Sequence, residues 1–141
     1  MYWLIHRIYY RNIVVILREL VEYDRVYSKD GEKMDSINQY GIQVEHDVST
    51  DGNRVGMHEH VFYELYFLVS GQRRYLMKHT VFDVEPGNLL IIPKMHLHRA
   101  TSTNQTGYDR YVLYFSERQA GKLANLIGSE ALNEMITGGC I

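Results

Sequence analysis

The sequence predicts a mainly β domain, a sandwich or barrel of short strands held between two helical ends. Three observations carry that expectation. Between residues 40 and 115, β-branched and aromatic residues fall in short alternating runs such as "YGIQVEHDVS" and "RRYLMKHTVFDVE". Turn chemistry interrupts these runs at short intervals, in "STDGNRVG", "SGQ", "EPGN" and "TNQTG". Apolar residues recur at three- and four-residue steps only before and after this region, so the strands are not alternating with helices as in a parallel α/β sheet.

Taken in order, residues 2 to 27 read as a helix. Leu4, Ile8, Ile13, Ile16, Leu17, Leu20 and Val21 form a wide apolar stripe that must pack on the domain or on a second copy. "SKDGEK" then breaks the pattern, giving an N-terminal helix and polar linker over 1–36 and a β region over 37–115. Within it, "GNLLIIP" is a continuous apolar run stopped by Pro93, as expected of a strand buried on both faces or leaving a barrel edge. Ser116 opens "SERQ", a capping box, and Ala120, Leu123, Ala124, Ile127, Ala131, Met135 and Ile136 follow at helical spacing. Gly128-Ser129 is expected to kink or split this segment, so 116–141 reads as a helical pair.

Composition excludes several classes. The chain has 141 residues, one domain's worth, with 45% hydrophobic and 23% charged residues, ordinary for a globular protein. A net charge of −2 and the lack of a Lys/Arg cluster leave no electrostatic footprint for nucleic acid. Cys140 is a lone tail thiol, so there is no internal disulfide and no Cys/His zinc spacing. The longest N-terminal aliphatic run, Ile13 to Leu17, is bounded by Arg11 and Arg18, too short for a membrane span or a secretory signal, and a cytoplasmic location is expected. No G-x-S-x-G turn, Cys–His arrangement or phosphate-cradling loop is present, so no catalytic residue is assigned.

The chemistry concentrates in "HEHVFYELYFLVSG", residues 58 to 71. On a strand, His58 and His60 leave the same face roughly 6–7 Å apart, within reach of one ion. Glu64 would then lie roughly 13 Å beyond His60, and joins them only if the chain folds back between them and places it on the next strand. His98 is a fourth donor from a distant strand, with His96 competing for that role. Such a nitrogen and oxygen set suits zinc, nickel, iron or manganese, and the alternative is a metal-free, hydrogen-bonded polar cluster. His46 and His79 have no partners at useful spacing. If Glu64 points inward, so do Phe62, Tyr66 and Leu68, while Tyr63, Leu65, Phe67 and Val69 form an outer face that needs a second layer. Tyr66, Tyr75, Phe82 and Tyr114 are candidate walls of a closed, largely dry pocket. Of Arg73, Arg74, Arg99 and Arg110, only Arg99 is placed at its rim, the others being read as surface charges.

These residues carry a resemblance. Gly52, His58, His60, Glu64 and Gly71 match the first cupin motif at every fixed position. Gly87, Pro93 and His98 match the second, which departs at Met95 and Ser102, where glycine and asparagine stand in the family. "VEPGNLLIIPKMHLHRA" and "GYDRYVLYFSE" are further similar to the sensing domain of AraC-type transcription regulators. The resemblance spans residues 40 to 137. It implies a cupin-type (double-stranded β-helix) barrel with a C-terminal helical pair, a small-molecule effector such as a sugar, and a homodimer that the last helices, 116–141, help to form, and it leaves the N-terminal helix unexplained. It also implies that DNA is contacted only through a C-terminal pair of helix-turn-helix motifs, which these residues lack, as in a fragment or a single-domain relative. The runner-up is a stand-alone metal-dependent cupin enzyme, an isomerase or dioxygenase of a small oxygenated substrate.

Overall fold

The computed structural model describes residues 41–51, 56–77, 79–102, 106–127 and 129–130. Seven strands appear in chain order: β1 (Ile42–Ser49), β2 (Tyr63–Ser70), β3 (Arg73–Met77), β4 (Thr80–Val84), β5 (Leu89–Ile92), β6 (His98–Thr101) and β7 (Tyr108–Phe115), followed by helix α1 (Glu117–Ile127). They form a four-stranded sheet in the order β1-β7-β2-β5 and a three-stranded sheet in the order β4-β3-β6. Every strand pairing is antiparallel.

The alternation read from sequence sets which side chains meet. Tyr66 and Leu68 of β2, Leu90 and Ile92 of β5, and Tyr108 and Val112 of β7 pack against Tyr75 of β3, Val84 of β4 and Ala100 of β6 in one buried cluster between the sheets. The other face of the four-stranded sheet is also apolar, as expected. Val44, Phe67 and Tyr111 are buried there, with Leu65, Val69, Leu89 and Leu113 packed around them.

The strand ends are tied by turn residues. "EPGN" closes with the Asn88 amide donating to the Glu85 carbonyl, and the Glu85 amide donating to the Asn88 side-chain oxygen. Where β2 turns into β3, three backbones stack. A Cβ on Gly71, whose φ is +92°, would lie 2.4 Å from the Gly107 carbonyl oxygen, and one on Gly107 would lie 2.3 Å from that of Ser49. Only glycine permits this approach, which sets three main chains against one another at that end of the sheets.

At the other end, Ser116 caps α1 as its sequence suggested. Its hydroxyl accepts from the Gln119 amide, and its own amide donates to the Gly41 carbonyl. Among the described residues, the element that follows the strands is this helix, α1. The expected N-terminal helix and linker over 1–36, Gly52, the Phe82 side chain and the segment beyond residue 130 lie outside those residues. No helix among them is long and apolar enough to cross a membrane.

Candidate metal centre

His58 and His60 do not lie on a regular strand. His58 forms an isolated bridge with His98, each amide donating to the other's carbonyl at 3.0 and 2.9 Å, and the chain bends at residues 61 and 62 before β2 begins at Tyr63. That bend is the fold-back the spacing demanded. It carries Glu64 into the barrel beside the histidines. The ligand atoms of His58, His60, Glu64 and His98 all lie within 4.8 Å of one another. His96 stands outside this set, its Nδ1 held by the Lys94 carbonyl.

Each of the three imidazoles is oriented in the same way. Nδ1 of His58, His60 and His98 lies 2.9, 2.8 and 2.7 Å from the carbonyls of Gly56, Phe62 and His96. A carbonyl only accepts, so Nδ1 carries the proton, and in the neutral ring Nε2 is left with a lone pair. These lone pairs converge on a carboxylate. Glu64 Oε2 is 3.0 Å from His60 Nε2 and 3.3 Å from His98 Nε2, and the latter nitrogen is buried without a hydrogen-bond partner. Two acceptors so close repel unless a proton or a cation stands between them. Those two separations match donors bound at about 2.1 Å to one ion, which sit roughly 3.0 Å apart at right angles and 3.4 Å apart tetrahedrally. The set as a whole, gathered within 4.8 Å, has the donor chemistry of a divalent metal site.

Burial opposes charge on Glu64, whose side chain is 4% exposed, but without metal the neighbouring His60 and His98 outweigh it and hold the carboxyl down at about 2. His60 is lifted above its ordinary 6.5, because Glu64 and the Phe62 carbonyl overcome the opposing effect of burial. Tyr75 donates to the second carboxylate oxygen at 3.0 Å. Burial first, and then the Glu64 charge, push that phenol well above its usual range, so it stays a donor.

The remaining sequence-derived residues divide. Tyr114 borders the cluster, its ring edge-on to His60 at 5.5 Å. Tyr66 and Tyr75 are not open walls. They are 0% and 1% exposed, in T-shaped contact at 4.9 Å, and fill the middle of the barrel. These two rings thus pack on each other between the sheets instead of facing an open space. Arg99 does not reach the site, for it is exposed on β6 between inward-facing His98 and Ala100.

Two arginines passed over as surface charges lie inside instead. Arg73 is fully buried, donating to Ser102 at 2.8 Å with its guanidinium 4.2 Å from the Tyr108 ring centroid. Arg110 pairs with Asp47 at 3.1 Å and lies 5.6 Å from the Tyr66 ring centroid. Burial pushes the Tyr66 hydroxyl up to about 12, with Arg110 and Arg73 partly offsetting it. A signal was available: the alternation that turns Tyr75 inward also turns Arg73 inward, and that which turns Tyr114 inward does the same for Arg110. A groove of about 220 Å³ at this far end is lined by Gln72, Arg73, Arg74, Asp83, Val84 and Glu85, and none of the four metal-set residues lines it.

Comparisons with known proteins follow this geometry. The family model described as the AraC-like ligand binding domain matches residues 43–134. No curated protein matches. Among solved structures, the chain is similar to a cupin superfamily protein from Desulfitobacterium hafniense at 17% identity and TM-score 0.50, covering 54% of this chain and 68% of that one. It is similar to a Cupin 2 conserved barrel domain protein from Salinispora arenicola at 15% identity and TM-score 0.50, over 60% and 71% of the two chains. An RmlC-like cupin family protein with a double-stranded β-helix fold from Methanocaldococcus jannaschii gives 15% and 0.50, over 57% and 75%. At such identities these structures speak to the fold.

Proposed function

The chain belongs to the AraC-like ligand binding domain family, and on that footing we propose that it senses a small molecule at the histidine end of its barrel. We read His58, His60, Glu64 and His98 as holders of a divalent metal, one of zinc, nickel, iron and manganese. The observation that carries this reading is the set of three Nδ1–carbonyl bonds, which leaves the Nε2 lone pairs of His60 and His98 beside one buried carboxylate, with His58 in the same cluster. When bound, the metal supplies a Lewis-acid anchor for an oxygen donor of the effector. His60, with 16% of its side chain exposed, marks the approach from solvent, and Tyr114 offers a flat face with a hydroxyl tip, suited to a sugar or another oxygenated molecule. Glu64 and Tyr75 form the sealed floor. In this reading the domain acts in the cytoplasm as a homodimer without catalysing a reaction. DNA is reached through a separate helix-turn-helix domain, and the effector shifts the balance between two arrangements of the pair.

The test is elemental analysis of protein purified without an affinity tag, followed by a thermal-shift screen of sugars and small hydroxy acids with and without chelator. Stoichiometric metal and a metal-dependent shift for an oxygenated ligand are expected. His98→Ala is expected to weaken metal binding at least about 100-fold while the strands persist, since outer-shell losses alone cost about 10–100-fold. Metal-free protein that binds its effector equally well with His98→Ala would overturn the reading.

One observation favours a second reading, a stand-alone cupin enzyme acting as an isomerase or dioxygenase. A metal set reached past half-buried His58 and His60 is open on one side, as a catalytic metal must be. Turnover of a screened ligand by the metal-loaded chain would favour it.

A further inference from the structure

Strand β1 adds a polar strip to the apolar space between the sheets. Val44 belongs to the outer apolar cluster, so by alternation Gln43, Glu45 and Asp47 turn the other way, toward the barrel interior. Strand register agrees. Gln43 stands opposite Tyr114 of β7, and Tyr114 stands opposite Glu64 of β2. Residues opposite one another share a face, so Gln43, Tyr114 and Glu64 form one row across three strands, ending at the metal set. Two residues along β1, Glu45 lies in the row of Val112 and Tyr66, both inside the barrel. Adjacent strands lie about 4.8 Å apart, so β1 and β2 are roughly 10 Å apart, a gap that a small molecule spans.

The fold does not use these polar side chains alike. Asp47 serves the structure, accepting from the Tyr108 hydroxyl at 2.9 Å and from Arg110 at 3.1 Å. Glu45 is half-buried and pairs with no basic group among the described residues; it accepts from Gln43 Nε2 at 3.0 Å. Gln43 itself is buried, at 8% exposure. A carboxylate only accepts, so the Gln43 amide turns its nitrogen to Glu45 and leaves its oxygen as a second acceptor. The pair therefore presents acceptor oxygens and one negative charge. Tyr114 registers both carboxylates. Burial first, then Glu64 on β2 and then Glu45 on β1, raise its hydroxyl above the ordinary phenol range, so it stays protonated.

We propose that Gln43 and Glu45 are specificity-determining residues of the histidine end and select a neutral, hydroxyl-rich ligand over an acid. With one ligand oxygen at the metal set and the carbon frame against the Tyr114 ring, hydroxyls at the other end donate to Glu45 and to the Gln43 oxygen. An ionised carboxyl group at that end has no hydrogen to donate. It also meets a like charge in a half-buried place, where screening is weak. This rests on the metal-site reading above and narrows its ligand from an oxygenated molecule to a polyol or neutral sugar.

Titration calorimetry of the metal-loaded full chain with matched sugars tests it, glucose against glucuronate and galactose against galacturonate. Each pair differs by a carboxylate in place of a hydroxymethyl group. The neutral sugars are expected to bind and the uronates to bind at least about tenfold more weakly. Gln43→Ala and Glu45→Ala are each expected to weaken neutral-sugar binding about tenfold. Glu45→Gln removes the charge, keeps the shape, and is expected to admit the uronates. Metal content should match that of the unaltered chain in all three variants, since neither residue belongs to the donor set, and this separates lost recognition from lost fold. A chain that takes up no metal would overturn the metal-site reading and this assignment together. A metal-bearing chain that binds uronates as tightly as neutral sugars, binds neither, or keeps its neutral-sugar affinity in both alanine variants would overturn the assignment alone.

Discussion

His60 and Glu64 form a pair whose protonation can be read from outside. Without metal, Glu64 ionises in the fold near 2 instead of 4.5, so its stabilising contribution is complete above 4.5 and is lost as pH falls toward 2. His60 shifts upward, so its contribution is complete below 6.5 and is lost as pH rises through its raised value. Their overlap predicts that chelator-treated protein draws most from this pair between pH 4.5 and 6.5. Metal-bound protein should behave oppositely, gaining stability across the same window as protons leave the imidazoles. Melting temperatures against pH, with and without chelator, check both signs, and parallel profiles would contradict the assignment. At Met95, removing the strain of a left-handed φ predicts that Met95→Gly raises unfolding free energy by about 1 kcal/mol, measured by denaturant titration. This position was legible in the sequence as a departure from a motif. Its φ was not, because backbone conformation at a non-glycine residue follows from the turn around it.

Elements were legible where the pattern was periodic and obscure where the chain changed direction. β1, β2, β5 and β7 fall where alternating or continuous apolar runs place them, and the Ser116 hydroxyl caps α1 as expected. "RRYLMKHTVFDVE" divides into β3 and β4, which pair back on each other from Arg73↔Val84 to Met77↔Thr80, so one run holds a hairpin. His58 and His60 stand before β2, since the bend after them lets a carboxylate four residues on face the same ion. The turn from β2 to β3 yields a sharper expectation. Gly71→Ala puts a methyl group against the Gly107 carbonyl at a φ of +92°, with no flexible side chain to yield. It should destabilise the fold by about 2 kcal/mol or more, seen as a lower denaturant midpoint, whereas Gly121→Ala, with open space at its Cβ, should not.

Across the whole molecule, the barrel was legible from its motifs, and its contents were not. Strand spacing allowed a sandwich or a barrel, and the pairing orders β1-β7-β2-β5 and β4-β3-β6 follow from long-range register that no local pattern contains. The inward alternation of tyrosines was correct in direction. Whether the rings leave a void depends on how two sheets interlock, and here Tyr66, Tyr75 and Tyr108 pack in one buried cluster. A metal held by the proposed set would join β6 to the segment before β2, which meet through the His58–His98 bridge. Binding to the native state alone predicts that chelation lowers the melting temperature, and that 100-fold excess of metal over its dissociation constant restores about 2.7 kcal/mol. Calorimetry that finds identical melting with and without metal would contradict this.

The stack of Ser49, Gly107 and Gly71 sets main chain against main chain at the end of the domain away from the histidines. With Tyr66 and Tyr75 packed behind the donors, a guest held at the proposed site would arrive and depart past the histidines, by one doorway. Obstructing that doorway slows both steps together and leaves affinity untouched, so residence time and occupancy become separately adjustable.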